Sequence, residues 1–577
     1  MSMPIDTDDQ AINHLLTVLA QDKSVSSPAV LNNLVYYTPR TKSVPQLIRL
    51  VNAIFKGTSR PEFNVLELFE MSQAIAQWKL EISEPAIPPA EFYKIWDSCF
   101  RECYSWTRSK LSILAGILST RENFRSLETG NFIDDSRQII KLYDSWKRDI
   151  FIPTWCEFVK RSNRDIASLI LIYAAISSPS DACRYGFLPW NVVTIHLSRL
   201  FLRHMTAPGQ AEPFFEKNLS RMAKTLQTSL TKSDKSVVSD FLSLLCRGSY
   251  DLAFFELRNQ TQTKDYSKQY YSHVLFTAVV SLNSILQTTA KAPTSWYAQV
   301  VMILFNLNFI AEDIGIVGFD SYQSVYEIVC KGITLADDQA VYYDTVKVMN
   351  GNIWGGTWSG NKVNRAKLLF MLRFMGSTLS ELSSIPIPFI NDFIQPLQKV
   401  YMDSTEEDIR ESAHIMTLSI FSSHNNDADF LRWECQNYLP YLDLSTNQFL
   451  RQKISDKQLI LIYQKMSSQL PILQHVDGHL SREALHYTYL TILNCPPQQL
   501  KEQAVLLKCL IFQILYSNEH HLVDWLDTTQ ELLSSIKFTN EQRHDIITTL
   551  WDVVSHSKSD VAFKWWYGRL DAIRSRL

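Results

Sequence analysis

Apolar residues return every three or four positions through almost the whole chain, and the two-residue alternation that builds a half-buried strand is scarce. That periodicity limits the fold more than any other feature. Leu47, Leu50, Val51, Ile54 and Phe55 stand at offsets 0, 3, 4, 7 and 8, with Pro45 at a first-turn position and Gly57 where a C-terminal cap belongs. Asn64 is a good N-cap for a helix whose inner face carries Val65, Leu68, Phe69, Ile75 and Ala76. Helical patterns continue through 90–106, 107–118, 136–149, 154–161 and 165–177, and again through Leu459, Ile462, Tyr463 and Met466, up to Leu470-Pro471. Val505–Leu515 is apolar almost all round, as a buried central helix should be. No proline falls between Pro213 and Pro293, or from Thr294 to Ile385. Only 16 Gly and 21 Pro in 577 residues leave little material for turns. The expected class is all-α, an irregular α-solenoid of stacked antiparallel helix pairs, HEAT- or armadillo-like without a fixed repeat period.

Breaks in the pattern suggest the organisation. Residues 1–23 read as a loosely docked segment whose short amphipathic patch is Ile12, Leu15, Leu16 and Leu19. Two helical regions follow, 24–290 and 291–568, the second interrupted by a glycine-rich loop at 351–362, and 569–577 form an exposed tail. Three prolines within Pro85–Pro89 make a rigid break in the first region.

A net charge of −3 without basic or acidic tails gives no footprint for nucleic acid. Nine scattered cysteines fit neither a disulfide framework nor a zinc ribbon and read as small buried hydrophobes in a reduced compartment. The acidic N-terminus has no basic n-region or apolar h-region. The two most apolar runs, His273–Leu286 and Trp296–Ile310, read as too short and too interrupted to cross a membrane, so membrane contact is expected to be peripheral.

Catalytic signatures fail in detail. Gly355–Lys362 approaches a phosphate loop, but Asn361 is inserted before the lysine and Val363 replaces the magnesium-binding hydroxyl. Ser359 is not centred as a nucleophile elbow requires. His520-His521 diverge by about 100° on a helix, and His479 and His486 are two turns apart, so neither pair grips one metal. Asp134-Asp135 and Glu406-Glu407-Asp408 read as solvated helix starts, with Ser404-Thr405 as cap. No enzyme is expected: no catalytic residue, no cofactor and no metal site.

Ser575-Arg576-Leu577 is a conservative variant of the Ser-Lys-Leu peroxisomal address. A terminal carboxylate, an apolar side chain and a small residue that lets backbones approach suit a receptor cleft. Nearby, Trp565-Trp566-Tyr567 either anchors the last helix in the core or meets a partner, and Trp525, Trp565 and Trp566 are the candidate partner contacts.

Short stretches in order along the chain resemble a known family. They are Asn33-Leu-Val-Tyr-Tyr-Thr-Pro-Arg-Thr-Lys-Ser43, Trp78-Lys-Leu-Glu-Ile-Ser-Glu-Pro85, Phe132-Ile-Asp-Asp135 and Ile314-Gly-Ile-Val-Gly-Phe319. Phe389-Ile-Asn-Asp-Phe-Ile-Gln-Pro-Leu397, Ser468-Gln-Leu-Pro471, His520-His-Leu522 and Trp565-Trp-Tyr567 complete the set. The chain resembles the peroxin-8 family of fungal peroxisome biogenesis factors. The resemblance implies a non-enzymatic protein on the matrix side of the peroxisomal membrane, peripherally attached. It further implies a bridge between the docking complex and the RING-finger ubiquitin-ligase complex, binding of the tetratricopeptide-type cargo receptor, and a part in cargo release. The N-terminal type 2 signal of some members has no match. The alternatives are a peroxisomal matrix enzyme that uses its tail only as an address, and a cytosolic helical scaffold with a chance terminus.

Overall fold

The computed structural model describes residues 7–20, 27–57, 63–82, 86–127, 133–161, 166–207, 212–259, 268–289, 291–315, 319–353, 361–516, 519–557 and 559–574. All regular structure among them is helical, and the class is the expected one. Two compact units form, one from Met1–Leu252 with Asp265–Lys291 and Phe319–Tyr322, the other from Ala253–Lys264, Ala292–Gly318 and Gln323–Leu577.

In the first unit the helix Val44–Gly57 buries all five residues of its predicted stripe. Asn64 caps the helix Val65–Glu81, its side chain accepting from Leu66 N at 2.9 Å. That helix lies directly on Arg108–Leu118. A Cβ added to Gly116 would stand 2.0 Å from Ser72 Oγ and 2.2 Å from the Phe69 carbonyl, so only glycine allows this approach. Ile166–Ile176 is buried on every side from Leu169 onward, and Trp155 stacks on its Tyr173 with ring centroids 4.5 Å apart. In the N-terminal segment the helix Thr7–Ala20 buries Ile12, Leu15 and Leu19 and leaves Leu16 half-buried.

In the second unit Lys362–Thr378 packs between Thr294–Ile314 and Glu407–Phe421, and Leu500–Ile514 packs against Asp456–Ser467, Leu480–Asn494 and Asn540–His556. The central role expected of 505–515 is reflected in burial of Val505, Leu506, Leu507, Cys509, Leu510, Ile511 and Ile514.

Four local readings need correction. Helical order does not stop at 149: a π-helical stretch, Trp146–Phe151, carries it into Ile152–Arg161, and a second occurs at Ile390–Ile394. The first stretch, with its i→i−5 bonds, buries Trp146 and Phe151. Glu406, not Ser404, occupies the cap position of Glu407–Phe421, while Ser404 Oγ accepts from Glu406 N at 3.1 Å. The stripe ending at Leu470-Pro471 stops at Ser467, and Leu470–Leu473 starts a separate short helix with proline in its first turn. Finally, the apolar run at Trp296–Ile310 belongs to a 21-residue helix, Thr294–Ile314, long and apolar enough to cross a membrane. It serves as a core element of the second unit, with Asn308 buried and donating to the Ala366 carbonyl at 2.7 Å.

Candidate functional site

The C-terminal helix Asp560–Arg574 delivers the chain to its last three residues. Ser575, Arg576 and Leu577 lie outside the described residues, and what is on view is how their support is held. Trp565 Nε1 donates to Asp527 Oδ1 at 2.8 Å, and Arg569 Nη2 reaches the same oxygen at 3.3 Å. Trp566 packs on Trp551 at 5.1 Å, and Phe563 meets the other side of that ring at 6.4 Å. The sequence stacks these aromatics because Phe563, Trp566 and the buried Ala562 share a face three and four residues apart. Burying each large ring contributes roughly 1.5–3 kcal/mol.

The expectation that Trp565 and Trp566 face a partner is therefore corrected. They are 7% and 6% exposed, and the core-anchor alternative describes them. Their neighbour Tyr567 is the exposed ring, at 65%. Trp525 differs: it is half-buried, packs edge-on against Tyr489 at 6.1 Å, and lines a cavity of about 270 Å³. That cavity also gathers His479, Ser481 and Arg482 from the start of Leu480–Asn494, and His521 from the start of Glu519–Ser535. The sequence reading set His479 against His486 and so missed its neighbour His521, 42 positions away. Ser481 and Arg482 were missed as well. The available signal was a helix beginning His-Leu-Ser-Arg, with histidine where Ser, Thr, Asp or Asn would normally cap.

Among the described residues no group of three or more His, Cys, Asp or Glu is placed to hold a metal. All nine cysteines are free thiols, but the expectation that they are buried holds only for Cys156, Cys495 and Cys509; Cys183 is exposed and the other five are half-buried. Burial pushes Cys99 and Cys330 up to about 12 and Cys156, Cys246 and Cys435 up to about 11, away from nucleophilic thiolate. Lys367 is fully buried over the Phe305 ring at 5.1 Å, and burial lowers it to about 7. Glu434 is 2% exposed, and burial raises it to about 8. His414 is fixed on both nitrogens, by Tyr441 Oη at 3.0 Å and Gln448 Oε1 at 2.8 Å, with burial lowering its pKa. In the glycine-rich loop, 354–360 lie outside the described residues; Asn361, which spoils the phosphate-loop pattern, caps the next helix by accepting from Asn364 N at 3.0 Å.

Two family models match: the PEX8 helical domain at residues 203–321 and the PEX8 C-terminal domain at 432–575. The second takes in the terminal helix and the cavity beside Trp525. Peroxisomal biogenesis factor 8 of Saccharomyces cerevisiae is 29% identical, over 97% of this chain and 98% of its own. The protein of the same name from Komagataella phaffii is 23% identical over 76% of this chain and 70% of its own, and that from Pichia angusta 25% identical over 50% and 46%. Among solved structures, Kap121p bound to Nup53p shares 11% identity at a TM-score of 0.46, covering 100% of this chain and 52% of that one.

Proposed function

The chain belongs to the peroxisomal biogenesis factor 8 family, and from that premise we propose that this peroxisome biogenesis factor acts as an adaptor in matrix-protein import. In this reading it sits peripherally on the matrix side of the peroxisomal membrane and holds the docking and RING-finger ubiquitin-ligase complexes together. It binds the tetratricopeptide-type cargo receptor and aids release of cargo. The observation that carries the reading is relatedness over 97% of the chain to a biogenesis factor of nearly the same length. A long helical scaffold suits such work, because rigid stacked helices present several surfaces at fixed separations. The regions 24–290 and 291–568 are the natural bearers of separate contacts.

Receptor contact is assigned to two places. The terminal Ser575-Arg576-Leu577 supplies a cargo-like ligand, and the helical body supplies a second surface, because a tail alone would only compete with cargo. Receptor binding by the full-length protein and by a version ending at Arg574 tests this. Weaker but retained binding is expected, and complete loss would reduce the receptor contact to the tail. For the bridge, docking and RING components should co-purify in the presence of the protein and separate when it is removed. A joint assembly that survives its removal would overturn the adaptor reading.

A further inference from the structure

The cavity beside Trp525 is a built anion site, and we propose that it binds a phosphate monoester group. Its floor is the first turn of Leu480–Asn494, a 15-residue helix whose cap residue, His479, makes no side-chain bond to the helix. Glu483 N is the first amide to bond back, to the His479 carbonyl at 3.0 Å. Leu480 N is taken by the Asp477 carbonyl at 3.2 Å, while Ser481 N and Arg482 N find no acceptor among the described residues. Unsatisfied amides and the positive end of the helix dipole together favour an anion.

A second observation is independent of the helix end. Ser481 is 6% exposed, lines the cavity, and its Oγ is buried with no hydrogen-bond partner. That hydroxyl has no protein partner, and a ligand oxygen that reaches it would supply one. Around it stand the exposed Arg482 guanidinium, which makes no ion pair among the described residues, and the rings of His479 and His521. No carboxylate lines the cavity. The nearest acid in sequence, Asp477, is turned to the backbone, accepting from His479 N at 3.0 Å. Glu483, one residue past Arg482, is exposed and outside the lining.

The donors number more than a carboxylate's two oxygens use well: a hydroxyl, two amides, a guanidinium and two imidazoles. A phosphate monoester, with three acceptor oxygens and up to two charges, matches them. Two histidines without a third ligand make a poor metal site. The volume of about 270 Å³ exceeds what phosphate alone fills, and Leu485 and the Trp525 ring offer the rest of the ligand an apolar wall.

Calorimetric titration of the full-length protein with inorganic phosphate and with glycerol 3-phosphate tests the site, alongside flotation with phosphatidylcholine vesicles with and without phosphatidylinositol 4-phosphate. Saturable one-to-one binding is expected. Arg482→Glu should abolish it while leaving the melting temperature unchanged or higher, because glutamate at the third helical position favours a helix start. Ser481→Ala should weaken it by about threefold to tenfold. Arg482-dependent retention only on phosphorylated vesicles assigns a lipid headgroup; binding of the soluble esters without vesicle retention assigns a free metabolite. No saturable binding in either arm, acetate binding as well as phosphate, or binding unchanged by Arg482→Glu would each overturn the proposal.

Discussion

Two buried sites, one in each unit, handle charge in opposite ways. In the first, Lys147 and Asp181 meet at 2.8 Å with side chains 13% and 3% exposed, and every remaining valence is used. Asp181 also accepts from Ser178 N at 3.0 Å and Ser178 Oγ at 2.9 Å, and Lys147 donates to the Ile176 carbonyl at 2.9 Å, closing the end of Ile166–Ile176. In the second unit Glu434 is equally deep, yet its Oε1 bonds to nothing. A paired charge keeps its ionised form inside the protein, whereas a lone one is driven toward neutrality by burial. The Lys147–Asp181 site is thus braced by an ion pair, whereas burial suppresses ionisation at Glu434.

The contrast can be broken most sharply at Asp181. Asp181→Ala strands Lys147 in the interior and should cost about 3–5 kcal/mol in chemical denaturation followed by probes in the first unit. The opposite sign is expected in the second. Glu434→Gln should stabilise by about 1–3 kcal/mol at pH 8, since it removes a carboxyl that resists ionising. Folding raises Glu434 from its ordinary range to about 8, so its contribution is fully present below about pH 4.5 and is lost as pH rises to 8. The gain from Glu434→Gln should therefore vanish in denaturation curves near pH 4. The smallest effect belongs to the half-exposed acceptor of the terminal helix: Trp565→Phe, which deletes the bond to Asp527, should cost about 1 kcal/mol in thermal melts.

Local chemistry made much of this readable in advance. The stripe of Leu47–Phe55 and the Asn64 cap depend only on residues within one or two turns, and both stand where expected. What failed depends on distant neighbours. The π turn at Trp146–Phe151 buries two rings, and the fate of Trp565 rests on Asp527, 38 positions earlier. Likewise the floor and wall of the Trp525 cavity come from residues around 480 and 521, which no window joins. The terminal tripeptide could be picked out as a candidate address because signals of that kind are short linear sequences.

Mechanically, the terminal helix is a lever with an uneven grip. Its described fastenings, Phe563, Trp565, Trp566 and Arg569, fall in its first ten residues. Tension that reaches Arg569 would load the half-exposed Arg569–Asp527 pair before the buried tryptophans behind it. Among these described fastenings, resistance to peeling would thus rise in two steps from Arg569 inward.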